Sequence, residues 1–242
     1  MRITKHNAFE NLKKWKNGFL SIIYPSLCEI CDRELTEDRD FICRYCSSEF
    51  DFTHYEKFDD IPVKEIFWGR IEVEEGYSML FYRQNSSTQK ILHRIKYQSG
   101  HLLAVAMGEV LGKKIKAIKG FDSLEAIVPI PLHSKKEFIR GYNQSLKICE
   151  GIKDSAKIPI IELLKRKEHH ESQTKKDRFD RWDNVADIFS CVDKKVASLN
   201  HVAIVDDVLT TGATMEAAIR TLKYNNPELK VSVITLAITR SV

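Results

Sequence analysis

Four of the six cysteines form two pairs near the start of the sequence, and their spacing suits a metal ion. Two residues separate the cysteines within each pair, and eleven residues separate the pairs. The four residues are Cys28, Cys31, Cys43 and Cys46. Two such pairs can bring four thiolates to one point, which is the tetrahedral arrangement of structural zinc sites. We therefore predict a closed, structural Zn²⁺ site, with an iron or redox centre as the alternative.

A second group of chemically capable residues lies at 202–214, where an apolar run leads to two acids and then to a loop of small residues. The acids are Asp206 and Asp207, and both can accept hydrogen bonds from vicinal hydroxyls. Backbone N–H groups at the start of a following helix would bind an anion. The residues predicted to bind a phosphate are Thr210, Thr211, Gly212, Ala213 and Thr214. This pattern fits a ribose 5-phosphate, and an acidic strand end without a ligand is the alternative.

Basic and amide side chains follow earlier predicted elements, where an anionic group would lie at the strand ends of a parallel sheet. These candidates are Lys96, His133, Lys135, Arg140, Asn143 and Gln144. Solvated surface charge is the alternative interpretation. The charge-dense segment 165–184 could close over a ligand as a lid and exclude water. Its candidate residues are Gln173, Arg178, Arg181 and Asn184.

The strands and helices that the sequence pattern predicts would position these residues. From residue 124 onward, apolar runs alternate with helical periodicity, which predicts an α/β fold with a parallel sheet and crossover helices. We also expect a strand pair around Gly76 and a strand over 158–164. An amphipathic helix over 7–24 would pack on its own domain or bind a partner or a membrane surface.

Composition limits the function classes. The chain has 242 residues, with Lys+Arg 38 and Asp+Glu 34, so its net charge is +4. This mildly basic balance permits a nucleic-acid or phosphate partner without requiring one. No apolar run reaches the roughly 18–20 residues of a membrane span, and we identify no signal peptide. We expect a cytoplasmic protein without stable membrane insertion, in which the cysteines stay reduced.

The string DDVLTTGAT at 206–214 resembles the signature of type I phosphoribosyltransferases, which bind 5-phosphoribosyl 1-diphosphate (PRPP). The resemblance implies that Asp206 and Asp207, the candidate catalytic residues, contact the ribose 2- and 3-hydroxyls. It also implies that the loop from Thr210 to Thr214 binds the 5-phosphate and that Mg²⁺ accompanies PRPP. The basic and amide candidates named above would then lie on the diphosphate side of the ligand.

Further motifs extend this resemblance to the ComF-type competence family. They are the double CxxC, a lysine-tyrosine before a glycine, PIPLH, RGYNQS and the spacing of Gln173, Arg181 and Asn184. The family resemblance implies a type I phosphoribosyltransferase-like parallel sheet flanked by helices over 66–242. It implies a helix and a small zinc-ribbon-like module over 1–65.

Three functions are compatible with this resemblance. The first is Mg²⁺-dependent transfer of 5-phosphoribosyl to an unidentified acceptor, linked to DNA uptake. The second is a non-catalytic adaptor that binds PRPP or a nucleotide and assists import of single-stranded DNA. The chain has no helicase motif, so that role would need a separate helicase partner. The third is a zinc-dependent DNA-binding protein that keeps the fold without using its ligand site. It is weaker because the acidic loop is intact.

Overall fold

The computed structural model describes residues 26–35, 41–57, 62–97, 100–167 and 188–239. The chain divides into two compact units, and the division lies between Phe50 and Asp51. In the first unit, Leu27 and Glu34 form an antiparallel bridge on either side of the first cysteine pair. The predicted helix over 7–24 lies outside the described residues.

The helices of the described chain are α1 (Arg44–Ser48), α2 (Pro62–Glu65), α3 (Ser87–Lys96), α4 (His101–Ile115), α5 (Ser134–Arg140), α6 (Gln144–Ala156) and α7 (Ala213–Asn225). Short 3-10 turns cover Tyr55–Lys57 and Lys194–Ser198. The strands are β1 (Gly76–Tyr82), β2 (Ala126–Pro129), β3 (Leu164–Arg166), β4 (Phe189–Cys191), β5 (His201–Leu209) and β6 (Lys230–Thr239).

Four strands form a parallel sheet in the order β1–β6–β5–β2. Their sequences are nearly continuous apolar runs, as expected for strands that are buried on both faces. Helix α7 is the crossover from β5 to β6, and α3 and α4 lie between β1 and β2 in the chain. The predicted parallel sheet is confirmed, and it places the carboxyl ends of the four strands along one edge.

Two of the expected strand arrangements are wrong. Gly76 begins β1, which pairs with β6, instead of turning a hairpin, and Glu74 N–H donates to Val231 O of β6. The expected strand over 158–164 is reduced to a parallel bridge between Ile127 and Ile160. The chain then enters β3, which pairs antiparallel with β4.

The division between the units lies earlier than the sequence-based boundary at residue 65. Residues just after Phe50 already pair with the sheet: Phe81 N–H donates to Asp51 O, and Thr53 N–H donates to Met79 O. Main-chain hydrogen bonds to β1 therefore join residues 51–53 to the second unit. Among the described helices, none is both long and apolar enough to cross a membrane.

Candidate functional site

Asp206 lies near the carboxyl end of β5 and is held by two donors. The Ser145 hydroxyl donates to Asp206 Oδ1 at 2.7 Å, and the Asp207 main-chain N–H donates to the same oxygen at 2.9 Å. Burial and the negative charge of Asp207 raise the pKa of Asp206 to about 7, although the Ser145 bond opposes the shift. The structure therefore places a partly buried acid here, and its pKa is raised toward neutral pH.

Asp207 is buried and forms an ion pair with the last residue of α3. Lys96 Nζ lies 2.9 Å from Asp207 Oδ2, and the Asp207 residue is 6% exposed. The Tyr142 hydroxyl donates to the main-chain oxygen of Ile95, which fixes the end of α3 next to Lys96. The lysine predicted for a diphosphate therefore contacts one of the acids predicted for the sugar.

The loop after β5 presents exposed residues around one buried glycine. Thr210, Thr211, Ala213 and Thr214 are exposed, whereas Gly212 is buried with a φ of +79°. Gly212 is the N-cap of α7 and makes no side-chain capping bond, and the Ala213 main-chain N–H donates to Thr211 Oγ1 at 3.5 Å. The N-terminus of a helix can bind an anion, so the loop remains a candidate for the predicted phosphate.

Residues 66–70 brace this loop from outside. A Cβ atom at Gly212 would lie 2.9 Å from Phe67 Cε1 and 3.1 Å from Ile66 Cγ2, so only glycine fits. Arg70 Nη2 donates to Thr211 O at 3.0 Å, and Arg70 Nη1 donates to Glu216 Oε2 at 3.1 Å. The loop conformation is thus fixed by contacts from a distant part of the sequence.

The four paired cysteines meet in the first unit. Their sulfur atoms all lie within 4.8 Å of one another, and Cys31 Sγ lies 3.7 Å from Cys43 Sγ. Four sulfurs around a zinc ion with bonds of about 2.3 Å would be separated by about 3.8 Å. The donor set and its spacing therefore fit a tetrahedral zinc ion.

Two thiols of this cluster have shifted pKa values. Burial would raise the pKa of Cys28, but N–H groups of Cys43, Ile30 and Cys31 outweigh it and lower the pKa to about 7. Burial and the neighbouring sulfurs raise the pKa of Cys46. Crowded thiolates repel one another, and a divalent cation would relieve that repulsion.

The C-terminal part of the second unit matches a known protein family. Residues 163–241 match the model of the phosphoribosyl transferase domain. These residues, about a third of the chain, are similar to that domain. The matched range contains β5, the loop and α7, so the two acids and the candidate phosphate loop lie inside it.

Two relatives extend the similarity beyond this domain. Competence protein F of Haemophilus influenzae is 26% identical over 211 residues, which are 85% of this chain and 88% of that protein. Competence protein ComFC of Bacillus subtilis is 28% identical over 155 residues, or 64% of this chain and 61% of that protein. The resemblance to ComF-type competence proteins is confirmed.

A solved structure, glutamine PRPP amidotransferase from B. subtilis complexed with ADP and GMP, gives a TM-score of 0.42 at 17% identity. The superposition covers 59% of this chain and 30% of that chain.

The other predicted residues of the second unit have different surroundings. Asn143 caps α6 and donates to Ile130 O at 3.0 Å, so it is a buried support for the turn before α6. Gln144 is also buried and accepts from Arg140 Nη1 at 2.8 Å. Arg140 in turn lies 5.4 Å from the centre of the Tyr97 ring.

His133 and Lys135 belong to the start of α5. His133 Nδ1 accepts from the Lys135 main-chain N–H at 3.2 Å, and the Lys135 side chain is exposed. The candidate lid residues all fall within 168–187 and lie outside the described residues; they are Gln173, Arg178, Arg181 and Asn184.

Two site residues were not among the candidates from sequence. Ser145 holds Asp206, and its position in RGYNQS directly after Asn143 and Gln144 was a usable signal. Arg70 braces the loop from far away in the sequence, in a stretch without a motif. No sequence pattern would have revealed it, because its role depends on tertiary packing.

Proposed function

We propose that this protein binds PRPP and transfers its 5-phosphoribosyl group to an acceptor. The observation that carries the proposal is the position of two acids on β5, one buried and one partly buried, a few residues before the helix start at Gly212. The loop supplies N–H groups and threonine hydroxyls for the 5-phosphate. Asp206 and Asp207 accept hydrogen bonds from the ribose 2- and 3-hydroxyls.

The proposed reaction is a displacement at ribose C1. The bond between C1 and the diphosphate oxygen breaks, and its electron pair leaves with the diphosphate. A bond from C1 to the acceptor atom forms, and the acceptor proton passes to solvent. Positive charge develops on the ribose, and carboxylates fixed beside the sugar stabilise it.

Mg²⁺ fits this site as a companion of the substrate. Asp206 and Asp207 are hard oxygen donors, and such donors suit Mg²⁺. Lys96 already pairs with Asp207, so we expect these acids to hold the ion indirectly, through the sugar hydroxyls. When bound, Mg²⁺ would neutralise charge on the diphosphate.

Zinc in the cysteine cluster is a structural part of the proposal. A closed four-sulfur site offers no open position for a substrate or water. The ion would stabilise the fold of the small first unit. A cytoplasmic location follows in the same proposal, because the thiols need a reducing compartment to stay available to a metal.

Calorimetric titration with PRPP and Mg²⁺ tests the binding step. We expect heat from the wild type and from Asp154→Asn, an exposed acid of α6, and none from the Asp206→Asn/Asp207→Asn double variant. Equal heat in all three proteins, or none in the wild type, would overturn the proposal. Diphosphate release with a panel of amines and heterocyclic bases then tests transfer.

A second function is favoured by the names of the relatives, which are competence proteins and DNA utilization proteins. In that alternative the chain is a non-catalytic adaptor that binds PRPP or a nucleotide and assists single-stranded DNA import with a helicase partner. PRPP binding without diphosphate release across the panel would support it. If the chain contacts DNA directly, the affinity should fall steeply with salt concentration.

A further inference from the structure

A groove opens on the second unit between β4 and the C-terminal half of α7. Its volume is about 480 Å³, which is within the usual range of small-molecule sites. The described lining includes Lys167, Phe189, Arg220, Thr221, Tyr224 and Asn225. None of the described residues that line it was a candidate from the sequence, so the groove is distinct from the two acids and the candidate phosphate loop.

Two aromatic rings of different exposure line this groove. Phe189 is buried, whereas Tyr224 on α7 is 89% exposed. An exposed aromatic ring beside a cavity provides a flat face on which a planar ligand can stack. The Thr221 hydroxyl and the Asn225 amide lie on the same helix and can bond the polar edge of such a ligand. The groove therefore suits a ring that carries polar atoms.

The formal charges along this groove are positive. Lys167 and Arg220 supply them, and the lining within the described part of the chain contains no acid. Arg220 pairs with Glu216, but Glu216 also pairs with Arg70, so this cluster of three residues carries one positive charge in excess. A ligand with a negative group is therefore attracted to the groove.

Arg220 connects the groove to the contacts that hold the candidate phosphate loop. Its Nη2 donates to Glu216 Oε1 at 2.8 Å and to Arg70 O at 2.9 Å. Arg70 in turn donates to Glu216 Oε2 at 3.1 Å and to Thr211 O of the loop at 3.0 Å. A guanidinium that holds an anion with two parallel N–H bonds uses Nη2 together with Nε or Nη1. Such a contact with a ligand draws Nη2 away from Glu216 and Arg70, and the contacts that hold the loop weaken.

We infer that this groove is an effector site for a small ligand with a planar ring and one anionic group, and that the bound ligand weakens anion binding at the loop. The ring stacks on Tyr224, and Arg220 and Lys167 bind the anionic group. The coupling rests on the proposed function, because it needs a phosphate ligand on the loop. Coupling between two binding sites is reciprocal, so ribose 5-phosphate should weaken binding in the groove by the same factor.

Calorimetric titration of the full chain tests the inference with two anionic rings, indole-3-acetate and adenosine 3′-monophosphate, and with adenosine as a neutral ring. Each ring is titrated with and without saturating ribose 5-phosphate, whose own binding is measured separately. Tyr224→Leu removes the stacking ring, and Phe138→Leu is its control, because Phe138 is 91% exposed on α5. Arg220→Met removes the guanidinium, and Arg83→Met is its control, because Arg83 is an exposed arginine that pairs with Asp51.

In the wild type, we expect an anionic ring to bind at least about tenfold more tightly than adenosine, a difference of about 1.4 kcal/mol. Binding of indole-3-acetate identifies aromatic acids as the ligand class, and binding of the nucleotide alone identifies nucleotides. Tyr224→Leu and Arg220→Met should each weaken this binding by about tenfold, and both controls should keep it. Tyr224→Leu should also keep the affinity for ribose 5-phosphate, which shows that the variant is folded.

Saturating ribose 5-phosphate should weaken the anionic ring by about fivefold in the wild type and have almost no effect on it in Arg220→Met. Complete displacement would place the ring on the loop and overturn the inference, as would equal binding of adenosine or unchanged affinity in Tyr224→Leu. If ribose 5-phosphate binds without any effect on the ring, the effector role fails while the proposed function stands. If ribose 5-phosphate itself does not bind, the proposed function fails and the coupling fails with it, whereas the variants still decide whether the groove binds the ring.

Discussion

Lys96 Nζ lies 2.9 Å from Asp207 Oδ2, and this ion pair joins the end of α3 to the interior of β5. The lysine side chain is 27% exposed and that of the acid is 9% exposed. A carboxylate this buried depends on its partner, because the loss of one member leaves an uncompensated charge. The pair therefore connects two sides of the candidate site that were predicted to bind different parts of one substrate.

Lys96→Met should reduce the free energy of unfolding by about 3–5 kcal/mol, since it leaves Asp207 charged and unpaired in a buried position. Denaturant unfolding at pH 7 measures this loss. The Lys96→Met/Asp207→Asn double variant should recover most of it. Lys223→Met is the control, because Lys223 pairs at 3.3 Å with the exposed Glu72, and it should cost less than about 1 kcal/mol. Equal losses for the two lysine variants would contradict the prediction.

Asp206 should make the stability of the protein depend on pH. Its pKa is raised from 3.8 to about 7 in the folded chain, mainly by burial and then by the charge of Asp207. The folded state therefore binds this proton more tightly than the unfolded state does. The stability that the proton contributes is fully present below about pH 4 and is lost as the pH rises through about 7.

Asp206→Asn removes this dependence, and its amide oxygen can still accept from Ser145. Relative to the variant, the wild type should lose stability between pH 4 and pH 8 by on the order of 4 kcal/mol. Unfolding curves of both proteins over this range test the prediction, since titrations at other residues largely cancel in the difference. Two stability profiles that run parallel from pH 4 to pH 8 would refute it.

Gly212 and Gly141 provide a matched comparison, because both have a φ of +79°. A Cβ atom at Gly141 would have no atom within 4 Å, whereas one at Gly212 would meet Phe67 at 2.9 Å. Gly141→Ala should therefore cost only the backbone penalty of about 1 kcal/mol. Gly212→Ala adds overpacking and should cost about 2–4 kcal/mol in total.

The two variants should also differ in ligand binding. Gly212→Ala should displace the loop and abolish ribose 5-phosphate binding, which calorimetry of the folded fraction measures. Gly141→Ala should leave it within about twofold of the wild type. Retained affinity in Gly212→Ala would show that the loop does not need the observed contact with Phe67.

The cysteine cluster predicts one zinc ion per chain. Elemental analysis should find one equivalent in the wild type and much less in Cys43→Ser, because three sulfurs leave the tetrahedral site incomplete. Cys191→Ser is the control, since Cys191 is not part of the cluster and contacts Asp193 O. Full zinc occupancy in Cys43→Ser would exclude the four-sulfur site.

The sequence predicted most reliably what local patterns encode. The spacing of Cys28 and Cys31 and of Cys43 and Cys46 predicted a cluster that the structure assembles within 4.8 Å. The apolar run before Asp206 predicted a buried parallel strand, and β5 confirms it. Both features depend on residues that are close together in the sequence.

What the sequence did not predict depends on contacts between distant segments. Gly76 has the local signature of a turn, but the chain from 76 to 82 instead pairs with β6, more than 150 residues later. Lys96 and Asp207 were both candidates from the sequence. Their ion pair could not be predicted, because it depends on where the end of α3 lies in the folded chain. The bracing of the loop by residues 66–70 likewise arises only when the chain has folded.

Arg70 should act as a positioning residue for the loop. Its guanidinium donates to Thr211 O and to the Glu216 carboxylate, so one rigid, planar group holds both the loop and the first turns of α7. A hydrogen bond from a charged donor contributes about 1.5–3 kcal/mol. Because Arg70 is partly exposed, its loss should affect the loop geometry more than the global stability.

Arg70→Met should therefore weaken ribose 5-phosphate binding by about tenfold or more, which is about 1.4 kcal/mol, while the midpoint of unfolding changes little. Arg70→Lys should restore little of the affinity, because a single ammonium group does not reproduce the two-pronged contact. Arg83→Met removes an exposed arginine that pairs with Asp51 at 2.8 Å and should leave the affinity unchanged. Full rescue by Arg70→Lys would mean that Arg70 supplies only charge, and equal affinity in Arg70→Met would mean that the loop holds its shape without this residue.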